Sequence, residues 1–468
     1  MTSLQHLIAD WRWLDTWIVI TAALAAMACA LPGNFLLLRR QSMMGDALSH
    51  TVLPGIVVAF LFTHWVETSG WITNETAQTV QHAAMFAGAI ALGILCAVLT
   101  EWVQALGRVE SSAALGVVYT TLFAAGLLLL RVAADSVHID PDCVLYGTIE
   151  TVVGDTVSVA GQRIPRAAVV NGLTLCANGL LVVLFYKELR VSSFDPGLAT
   201  ALGIHARRMH YALMGVTAAT VVAAFESVGS ILVIAMLIVP AATAYLLTDR
   251  LWMMLAISLV VAAVTAVLGH ALAIALPEAV FAQWGYGSIR SVSTAGMMAV
   301  AGGGLFACAV LFSPRHGAVS KLARRTRLSL RIAREDLLGL LYRLDEPQPA
   351  RARDAAALWA EHRLGVGPWM SRLAALALRL QGRIAATSAG YQLTDAGRAA
   401  AHELVRSHRL WESYVARHFA VPDDQLHESA ARVEHFIGPR QLDELESELD
   451  GPRIDPHGSH IPPAASAH

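Results

Sequence analysis

Long apolar runs dominate the first two thirds of the chain and limit what it can fold into. A helix needs roughly 20 apolar residues to cross the hydrocarbon core of a bilayer, which is about 30 Å thick. We predict a spanning helix wherever the sequence offers such a run, although a count of eight stays open because only three residues separate the sixth run from the seventh. The nine predicted spans are 17–38, 48–66, 83–105, 111–131, 167–186, 209–225, 229–247, 251–276 and 291–313.

The composition changes sharply after Pro314. Only 15% of the 468 residues are charged, against about 25% in an ordinary globular protein. The last third of the chain, from Arg315 to His468, nevertheless holds 21 of the 34 Lys and Arg and 19 of the 36 Asp and Glu. The sequence therefore predicts a membrane domain over 1–316, a basic linker over 317–332 and a water-soluble tail.

The basic residues near the spans predict the orientation of the membrane domain. Lys and Arg concentrate in cytoplasmic loops, and here they follow spans 1, 3, 5, 7 and 9, whereas the segments 67–82, 132–166 and 277–290 carry few. We therefore expect the N-terminus outside and the tail in the cytosol. The residues that carry this argument are Arg39, Arg40, Arg108, Lys187, Arg190, Arg207, Arg208, Arg250 and Arg315.

The longest predicted cytosolic loop, 186–210, contains "SFDPGLATALGI". Asp195 can cap a short helix and Pro196 fits its first turn. Such a helix is either a plain connector or a coupling helix that docks into a partner and transmits its movement.

"RRQSMMGDALSHTVLPG" places Asp46 and His50 at the start of the second span. Residues four apart share one face of a helix, and carboxylate oxygen and imidazole nitrogen are ligands for Mn, Fe or Zn. Two ligands hold an ion weakly, which suits a pathway that must release it. The alternative is that Asp46 only caps the helix and that His50 is hydrogen-bonded inside the bundle.

Other polar residues could complete a pathway. Glu226 lies at or inside the membrane, where an ionisable residue is by default a functional hypothesis, and Gly229 and Pro240 interrupt the helix nearby. The segment "VHIDPDCVLYG" forms either an external mouth that attracts cations or an ordinary solvated loop. For the lone His270 in span 8 we favour a structural role. The residues of the possible mouth are His138, Asp140 and Asp142.

Several separated motifs resemble the permease family of ABC importers for manganese, zinc and iron. They are "LLLRRQSMMGDALSHTVLPGIVVAF", "ESSAALGVVYTTLFAAGLLLL", "SFDPGLATALGI", "ESVGSILVIAMLIVPAATAYLL" and "LFSPRHG", and the similarity runs from about Asp15 to Gly317. The resemblance implies an all-α polytopic membrane bundle of about nine transmembrane helices in the bacterial inner membrane. It makes Asp46 and His50 the best candidate ligands of the transport pathway, to which Glu226 is added because of its position in the membrane.

The resemblance also implies partners. These are a cytosolic ABC ATPase, an extracytoplasmic metal-binding protein and a second permease subunit, identical or related. The chain contains no G-x-x-x-x-G-K-[ST] phosphate loop, so we expect ATP hydrolysis on the separate ATPase and no organic cofactor. The residues implied to couple to that ATPase are Phe194, Asp195, Pro196, Ala201 and Gly203.

The tail has the pattern of a winged helix-turn-helix followed by helices that carry metal ligands. We predict a helix over 326–346, a turn at Gly365–Gly367, a helix over 368–381, two short strands around "SAG" and a helix from Thr394. His408 and Glu412 are four residues apart, and His427, Glu434 and His435 are spaced at i, i+7 and i+8. Each set is predicted to lie on one helical face and to bind metal, the alternative being charged helices in solvent.

From about Ala333 to Pro462 the chain resembles the diphtheria-toxin-repressor-like family of iron- and manganese-dependent regulators. The segments "EDLLGLLYRL", "LTDAGRAAAHELVRSHRLWES", "LHESAARVEH" and "DPHGSHIP" carry the similarity. It implies an α/β winged-helix domain over 333–400 and a helical metal-binding and dimerisation domain over 401–468. The residues implied to bind regulatory metal are Asp336, His408, Glu412, His427, Glu434 and His435.

The tail departs from that family in two places. Ala431 stands where the family has a Cys or Glu ligand, which predicts a weak or altered primary site. The recognition helix "GPWMSRLAALALRLQ" has Arg372 and Arg379 as its only charges. Reading a DNA sequence requires side chains that hydrogen-bond to base edges, so sequence-specific DNA binding is not expected here.

Three functions follow as hypotheses. The first is a metal-importing ABC permease with a fused metal-responsive domain, for which Mn, Fe or Zn is the substrate and a possible regulator. The second is a membrane-tethered, metal-dependent DNA-binding regulator. The third is a secondary carrier driven by an ion gradient, against which the coupling-helix loop argues.

Overall fold

The computed structural model describes residues 11–69, 74–133, 149–159, 161–276, 292–346, 367–387 and 390–464. The chain forms two compact units, Met1–Ser320 and Lys321–His468. We call them the membrane unit and the tail unit.

The membrane unit is built from long apolar helices with one small hairpin. Within the described residues, eight helical segments are long and apolar enough to cross a membrane, and all of them fall on spans predicted from the sequence. The helices are α1 (Trp13–Leu38), α2 (Met43–Thr68), α3 (Asn74–Gly107), α4 (Ser111–Ala133), α5 (Arg166–Leu184), α6 (Tyr186–Phe194), α7 (Pro196–Ala201), α8 (Ala206–Leu247), α9 (Leu251–Leu276) and α10 (Thr294–Phe312).

The bundle has two ends, which we name after one residue at each. At the Arg39 end, where α1 finishes, the Arg39 guanidinium donates a hydrogen bond to Ser192 in α6 at 2.9 Å. At the His270 end, the buried ring of His270 lies 3.3 Å from Asp15 in α1 and 3.1 Å from Thr294 in α10. These contacts agree with the structural role favoured for His270.

A 3₁₀ turn (Ile149–Gly154) and an antiparallel hairpin, β1 (Thr156–Val159) and β2 (Gln162–Pro165), precede α5. Glu150 in this turn accepts a hydrogen bond from the backbone N–H of Thr294 at 2.7 Å. The hairpin and the start of α5 therefore belong to the His270 end.

Helix α8 consists of two helical segments that meet at a kink at Gly229, whose backbone is non-helical with φ 75° and ψ 167°. That conformation is essentially restricted to glycine. The segments before and after Gly229 rise roughly 34 Å and 27 Å at about 1.5 Å per residue. Each is close to the thickness of a hydrocarbon core.

The contacts of α8 show that the chain turns back at Gly229. Before it, His210 Nε2 lies 3.2 Å from Glu101 Oε1, and both residues line one cavity with Arg39. Ser227 then accepts a hydrogen bond from Asn171, near the start of α5, at 3.1 Å.

After Gly229 the helix returns to the Arg39 end. A Cβ atom on Gly33 would lie only 1.9 Å from the carbonyl oxygen of Leu237, so the two backbones nearly touch there. The carbonyl of Leu246 then accepts a hydrogen bond from Ser313, just after α10. The spans predicted at 209–225 and 229–247 are thus two separate crossings within one helix, and they bring the described helices to nine crossings.

Helix α1 lies at the centre of the membrane unit and packs against α8, α9 and α5. Buried amide side chains join these helices: Asn34 donates to Ser258 in α9 at 2.7 Å, and Asn178 in α5 donates to Ala28 and Thr220 at 3.0 and 2.8 Å. Small residues and interhelical hydrogen bonds are the usual means of helix association in lipid.

The tail unit is mostly helical with one two-stranded sheet. Strands β3 (Ile384–Thr387) and β4 (Gly390–Leu393) pair in antiparallel register, Ile384 opposite Leu393. A 3₁₀ turn covers Glu434–Phe436. The helices are α11 (Ala318–Asp345), α12 (Pro368–Leu380), α13 (Asp395–His418), α14 (Asp423–Val433) and α15 (Pro439–Glu448).

Helix α11 begins before the helix predicted over 326–346, inside the segment 317–332 that we expected to be a basic linker. Helix α11 runs through it without a break from Ala318 to Asp345. The reason is that the segment lacks Pro and Gly after residue 317 and is rich in Leu, Arg and Ala, which are good helix formers.

The second helix and the wing of the predicted winged-helix pattern are present. Helix α12 matches the predicted 368–381, and the hairpin β3–β4 leads to Thr394, whose hydroxyl accepts a hydrogen bond from the N–H of Gly397 at 3.1 Å and caps α13. The segment that precedes Gly367, including the predicted turn at Gly365, lies outside the described residues.

Candidate metal sites

The Asp46–His50 pair lies in the first two turns of α2, near the Arg39 end. Asp46 Oδ1 and His50 Nε2 are 3.5 Å apart, and the two side chains are 30% and 38% exposed. A first-row metal at about 2.1 Å from each of two ligands holds them roughly 3 to 3.4 Å apart. The observed separation is therefore close to that of two ligands on one ion.

Aromatic rings of α4 hold the imidazole of His50. Tyr119 is stacked on it with ring centroids 5.7 Å apart, and Phe123 meets it edge to face at 5.3 Å. Among the described residues, Asp46 is its one charged partner. The pair therefore has two ligand atoms and open coordination positions.

Two other predicted pathway elements lie partly or wholly outside the described part of the structure. Glu226 belongs to α8, three residues before Gly229, but its side chain lies outside the described part of the structure. His138, Asp140 and Asp142 also lie outside the described residues.

The predicted coupling helix is α7. Asp195 caps it, because its carboxylate accepts the N–H of Leu198 at 2.9 Å, and Pro196 occupies the first turn. Gly203 ends the motif with φ 81°. Ala201 is exposed, as expected for a docking element.

Helix α7 and its flanking residues also expose an apolar row, which includes two residues that the sequence interpretation did not single out. Phe194, Leu198 and Leu202 are 63%, 50% and 63% exposed and recur every four residues. The spacing was visible in the sequence, but only the structure shows that the row faces outward.

A cavity of about 690 Å³ lies beside this helix at the Arg39 end. Its wall includes Arg39, Glu101, Pro196 and His210, so it joins the end of α1 to α3, α7 and α8. The cavity therefore links α7 to three helices that cross the membrane, α1, α3 and α8.

The six metal ligands predicted for the tail form two compact groups. The first triad consists of His408, Glu412 and His427. Glu412 Oε1 lies 2.9 Å from His408 Nε2 and 3.1 Å from His427 Nδ1, and the two nitrogens are 2.9 Å apart. His408 and Glu412 are buried, whereas His427 is exposed.

The second triad consists of Asp336, Glu434 and His435. His435 Nε2 lies 3.0 Å from Asp336 Oδ1 and 3.8 Å from Glu434 Oε1. The other ring nitrogen, Nδ1, lies 2.8 Å from Glu335 Oε2. Glu335, which the sequence interpretation did not assign, therefore orients this imidazole as outer carboxylates do for metal-bound histidines.

The grouping of these ligands differs from the prediction. His427 joins His408 and Glu412 instead of Glu434 and His435. The reason is that α14 ends at Val433 and the next residues form a 3₁₀ turn, so the helical spacing from His427 does not extend to residues 434 and 435.

The two triads touch each other. His408 Nδ1 is in contact with Glu434 Oε2, while His408 Nε2 faces the first triad. One imidazole therefore links both groups. Arg343 approaches Glu434 from α11 at 3.8 Å and balances part of the negative charge.

Burial and mutual charge shift the pKa values of these groups. Burial acts to lower the pKa of His435, but the carboxylates of Asp336 and Glu335 outweigh it and raise that pKa to about 9. Burial acts to raise the pKa of Glu412, but hydrogen bonds from His408 and His427 lower it to about 2. Without metal, the second triad therefore holds a protonated His435 beside carboxylates.

The donor atoms fit a first-row divalent metal in both triads. Each offers imidazole nitrogen with carboxylate oxygen, the ligand types that Mn, Fe and Zn accept. His435 Nε2 is buried and faces the carboxylates of Asp336 and Glu434, so the three donor atoms of the second triad lie close together. Ala431 is exposed on α14 and offers no ligand atom. His457 Nε2, 3.9 Å from Glu412 Oε1, is a further donor near the first triad.

Comparison with known families agrees with this division of the chain. Residues 14–282 match the ABC 3 transport family. Residues 394–463 match the metal binding and dimerisation domain of iron dependent repressors.

Similar proteins cover the membrane unit. The manganese transport system membrane protein MntD of Bacillus subtilis (strain 168) is 42% identical over 311 residues, which are 66% of this chain and 96% of that protein. The zinc transport system membrane protein TroD of Treponema pallidum (strain Nichols) is 39% identical over 304 residues, 65% of this chain and 75% of that protein.

A solved structure shares the fold of this unit. It is PsaBC from Streptococcus pneumoniae in complex with Fab, with a TM-score of 0.51 and 28% identity over 67% of this chain and 97% of that chain. The chain therefore belongs to the ABC 3 transport family, and a metal binding and dimerisation domain of the iron dependent repressor type follows its permease portion.

Proposed function

We propose that this chain is the membrane permease subunit of an ATP-driven importer of divalent transition metal ions, manganese, zinc or iron, with a metal-responsive regulatory domain at its C-terminal end. The family match over residues 14–282 carries this proposal. The names of the similar proteins from Bacillus subtilis and Treponema pallidum, which are manganese and zinc transport proteins, support the substrate class.

The transported ion passes Asp46 and His50. The geometry of the pair supports this role, since its oxygen and nitrogen are 3.5 Å apart and partly open to approach. Two ligands bind an ion without burying it, so the ion leaves when the helices move. Glu226, beside the turn at Gly229, is the next acidic group on the proposed route.

Energy comes from a separate cytosolic ABC ATPase that docks on α7. The exposed row of Phe194, Leu198 and Leu202 supports this docking, and so does the contact of the neighbouring cavity with α3 and α8. A second permease, identical or related, and an extracytoplasmic metal-binding protein complete the importer. The basic residues beside the spans support an inner-membrane location with the tail in the cytosol.

The tail binds the imported metal and adjusts transport to the metal already inside the cell. His408, Glu412 and His427 hold one ion, and Asp336, Glu434 and His435 hold a second. The compactness and mixed N/O chemistry of both triads support this role.

Metal accumulation in cells tests the pathway. The chain is expressed with its ATPase and binding protein in cells that lack high-affinity importers, and Mn, Zn and Fe are measured by mass spectrometry. We expect selective accumulation of one metal, and its loss in Asp46→Ala and His50→Ala. Asp155→Ala and His316→Ala, exposed positions outside the membrane helices, should accumulate metal normally.

The outcomes separate the two parts of the proposal. No accumulation by an intact, inserted complex would refute the importer. Accumulation that survives both Asp46→Ala and His50→Ala would keep the importer but remove the pair from its pathway.

A further inference from the structure

Helix α12 of the tail is apolar on the face that points away from its own core. One face packs into the tail core through Met370, Ala374, Ala375 and Leu378. The opposite face exposes four large apolar side chains. They are Trp369, Leu373, Leu376 and Leu380, which are 60%, 42%, 50% and 80% exposed.

These four residues form one continuous stripe, which we call the α12 stripe. Their spacing of four, three and four residues keeps them on one side of a helix. A helix that is apolar all round is normally buried on every side. A contiguous exposed apolar row therefore marks a surface that another body covers.

The charges around the stripe all have one sign. Arg372 and Arg379 flank it and are exposed, and Arg383 follows the helix. Within the described residues 367–387 and 390–394 there is no Asp or Glu, and neither Arg372 nor Arg379 forms an ion pair with another described residue. An apolar and anionic body therefore matches the described part of this face.

Two possible partners fit this chemistry poorly. DNA is anionic, but Trp and Leu offer base edges no hydrogen-bonding groups apart from one indole N–H. A second α12 would be apolar, but it would bring Arg372 and Arg379 of two copies together, and like charges oppose such pairing.

An anionic lipid surface fits both requirements. Interfacial helices place Trp and Leu at the boundary between headgroups and acyl chains, with basic residues beside anionic headgroups. Only five residues separate the end of the last membrane helix, Phe312, from the start of α11. The tail is thus tethered through α11 to a unit that crosses a bilayer.

We propose that the α12 stripe inserts into the interface of an anionic lipid bilayer, so that the helix which would read DNA in a winged-helix domain is instead a membrane contact. Trp369, Leu373, Leu376 and Leu380 enter the interface, and Arg372 and Arg379 bind lipid phosphates. This contact is independent of which metal the protein carries.

Photocrosslinking in proteoliposomes tests the proposal. The full-length chain carries p-benzoylphenylalanine in place of Leu376 and is reconstituted in phosphatidylcholine with or without phosphatidylglycerol. The matched control carries the probe in place of Phe419, an apolar residue of similar exposure (57%) outside α12. Mass spectrometry after irradiation identifies what each probe has joined.

We expect lipid adducts at position 376, more in the bilayer that contains phosphatidylglycerol, and few at 419. The combined substitution Arg372→Gln and Arg379→Gln should lower the yield at 376 several-fold, and so should high salt. Unchanged metal binding by the tail shows that this variant remains folded.

Other outcomes overturn the proposal. These are equal lipid yields at 376 and 419, crosslinks from 376 to the tail of a second copy, and crosslinks from 376 to DNA added to the sample in preference to lipid.

Discussion

The Asp46–His50 pair in the membrane unit and the two triads in the tail offer the same ligand atoms in different surroundings. The membrane pair has two ligands, each about one third exposed, and its supporting neighbours are aromatic rings. Each triad has three ligands, at least two of them half-buried or buried, and Glu335 and Arg343 lie beside the ligands of the second. Because the number of ligands and their support determine how long an ion stays, the difference supports the proposed division between a transport pathway at the membrane pair and a regulatory metal site in the tail.

The largest effect is expected when a buried ligand of the tail is removed. Glu412→Ala takes away the carboxylate that contacts both His408 and His427. Losing an outer partner of a metal ligand typically costs about 10- to 100-fold in affinity, so loss of the ligand itself should cost about 100-fold or more. Titration calorimetry of the full-length protein in detergent measures it.

The same variant should leave uptake by metal-starved cells unchanged, because the membrane pair is intact. Glu444→Ala, on the exposed side of α15, is the control for the substitution. If Glu412→Ala abolished uptake in starved cells, metal transport and regulation by the tail would not be separate functions.

The protonation of His435 should make the metal-free tail less stable in alkali. Its folded pKa of about 9 lies above the ordinary value of 6.5. The stabilisation is therefore complete below pH 6.5 and is lost as the pH rises through 9, a change of roughly 1 to 3 kcal/mol. Thermal unfolding of the full-length protein with a chelator, at pH 6.5 and pH 9, measures this loss.

His435→Gln should flatten that pH dependence, since glutamine does not titrate. The membrane unit's own transition should not respond to this substitution. A loss of stability between pH 6.5 and 9 that persists in His435→Gln would assign the effect to another group.

The smallest effect is expected when an aromatic contact that supports the Asp46–His50 pair is removed. Tyr119→Leu removes the ring stacked on His50, a contact typically worth about 0.5–1.5 kcal/mol, so uptake should fall roughly 2- to 10-fold and not vanish. Tyr119→Phe keeps the ring and should transport normally. Complete loss of uptake in Tyr119→Leu would mean that the pair depends on rigid support, as the triads do.

Much of the fold was predictable because periodicity and apolar length are local properties. The spans, the Asp195 cap and the strands around residues 384–393 all follow from neighbouring residues. The start of α11 was predicted at residue 326 instead of Ala318, because a basic composition was taken as evidence of a linker, although the helix propensity of those residues is high.

The ligand types of the tail were also predictable, but their grouping was not. Helical spacing links residues on one helix, whereas the second triad unites Asp336 with His435 across almost 100 positions. The end of α14 at Val433 depends on tertiary packing. Glu335 could not be singled out because nothing in its local pattern distinguishes it from any other glutamate.

The turn at Gly229 affects how the topology of this protein can be mapped. It contains no loop in which an epitope tag, a protease site or a reactive cysteine could be placed without disturbing a helix. A map made with such reporters would register 206–247 as one crossing and arrive at an even total, which puts both termini on the same face of the membrane. The contacts between the described helices instead give an odd number of membrane crossings, with Trp13 and Phe312 at opposite ends of the bundle.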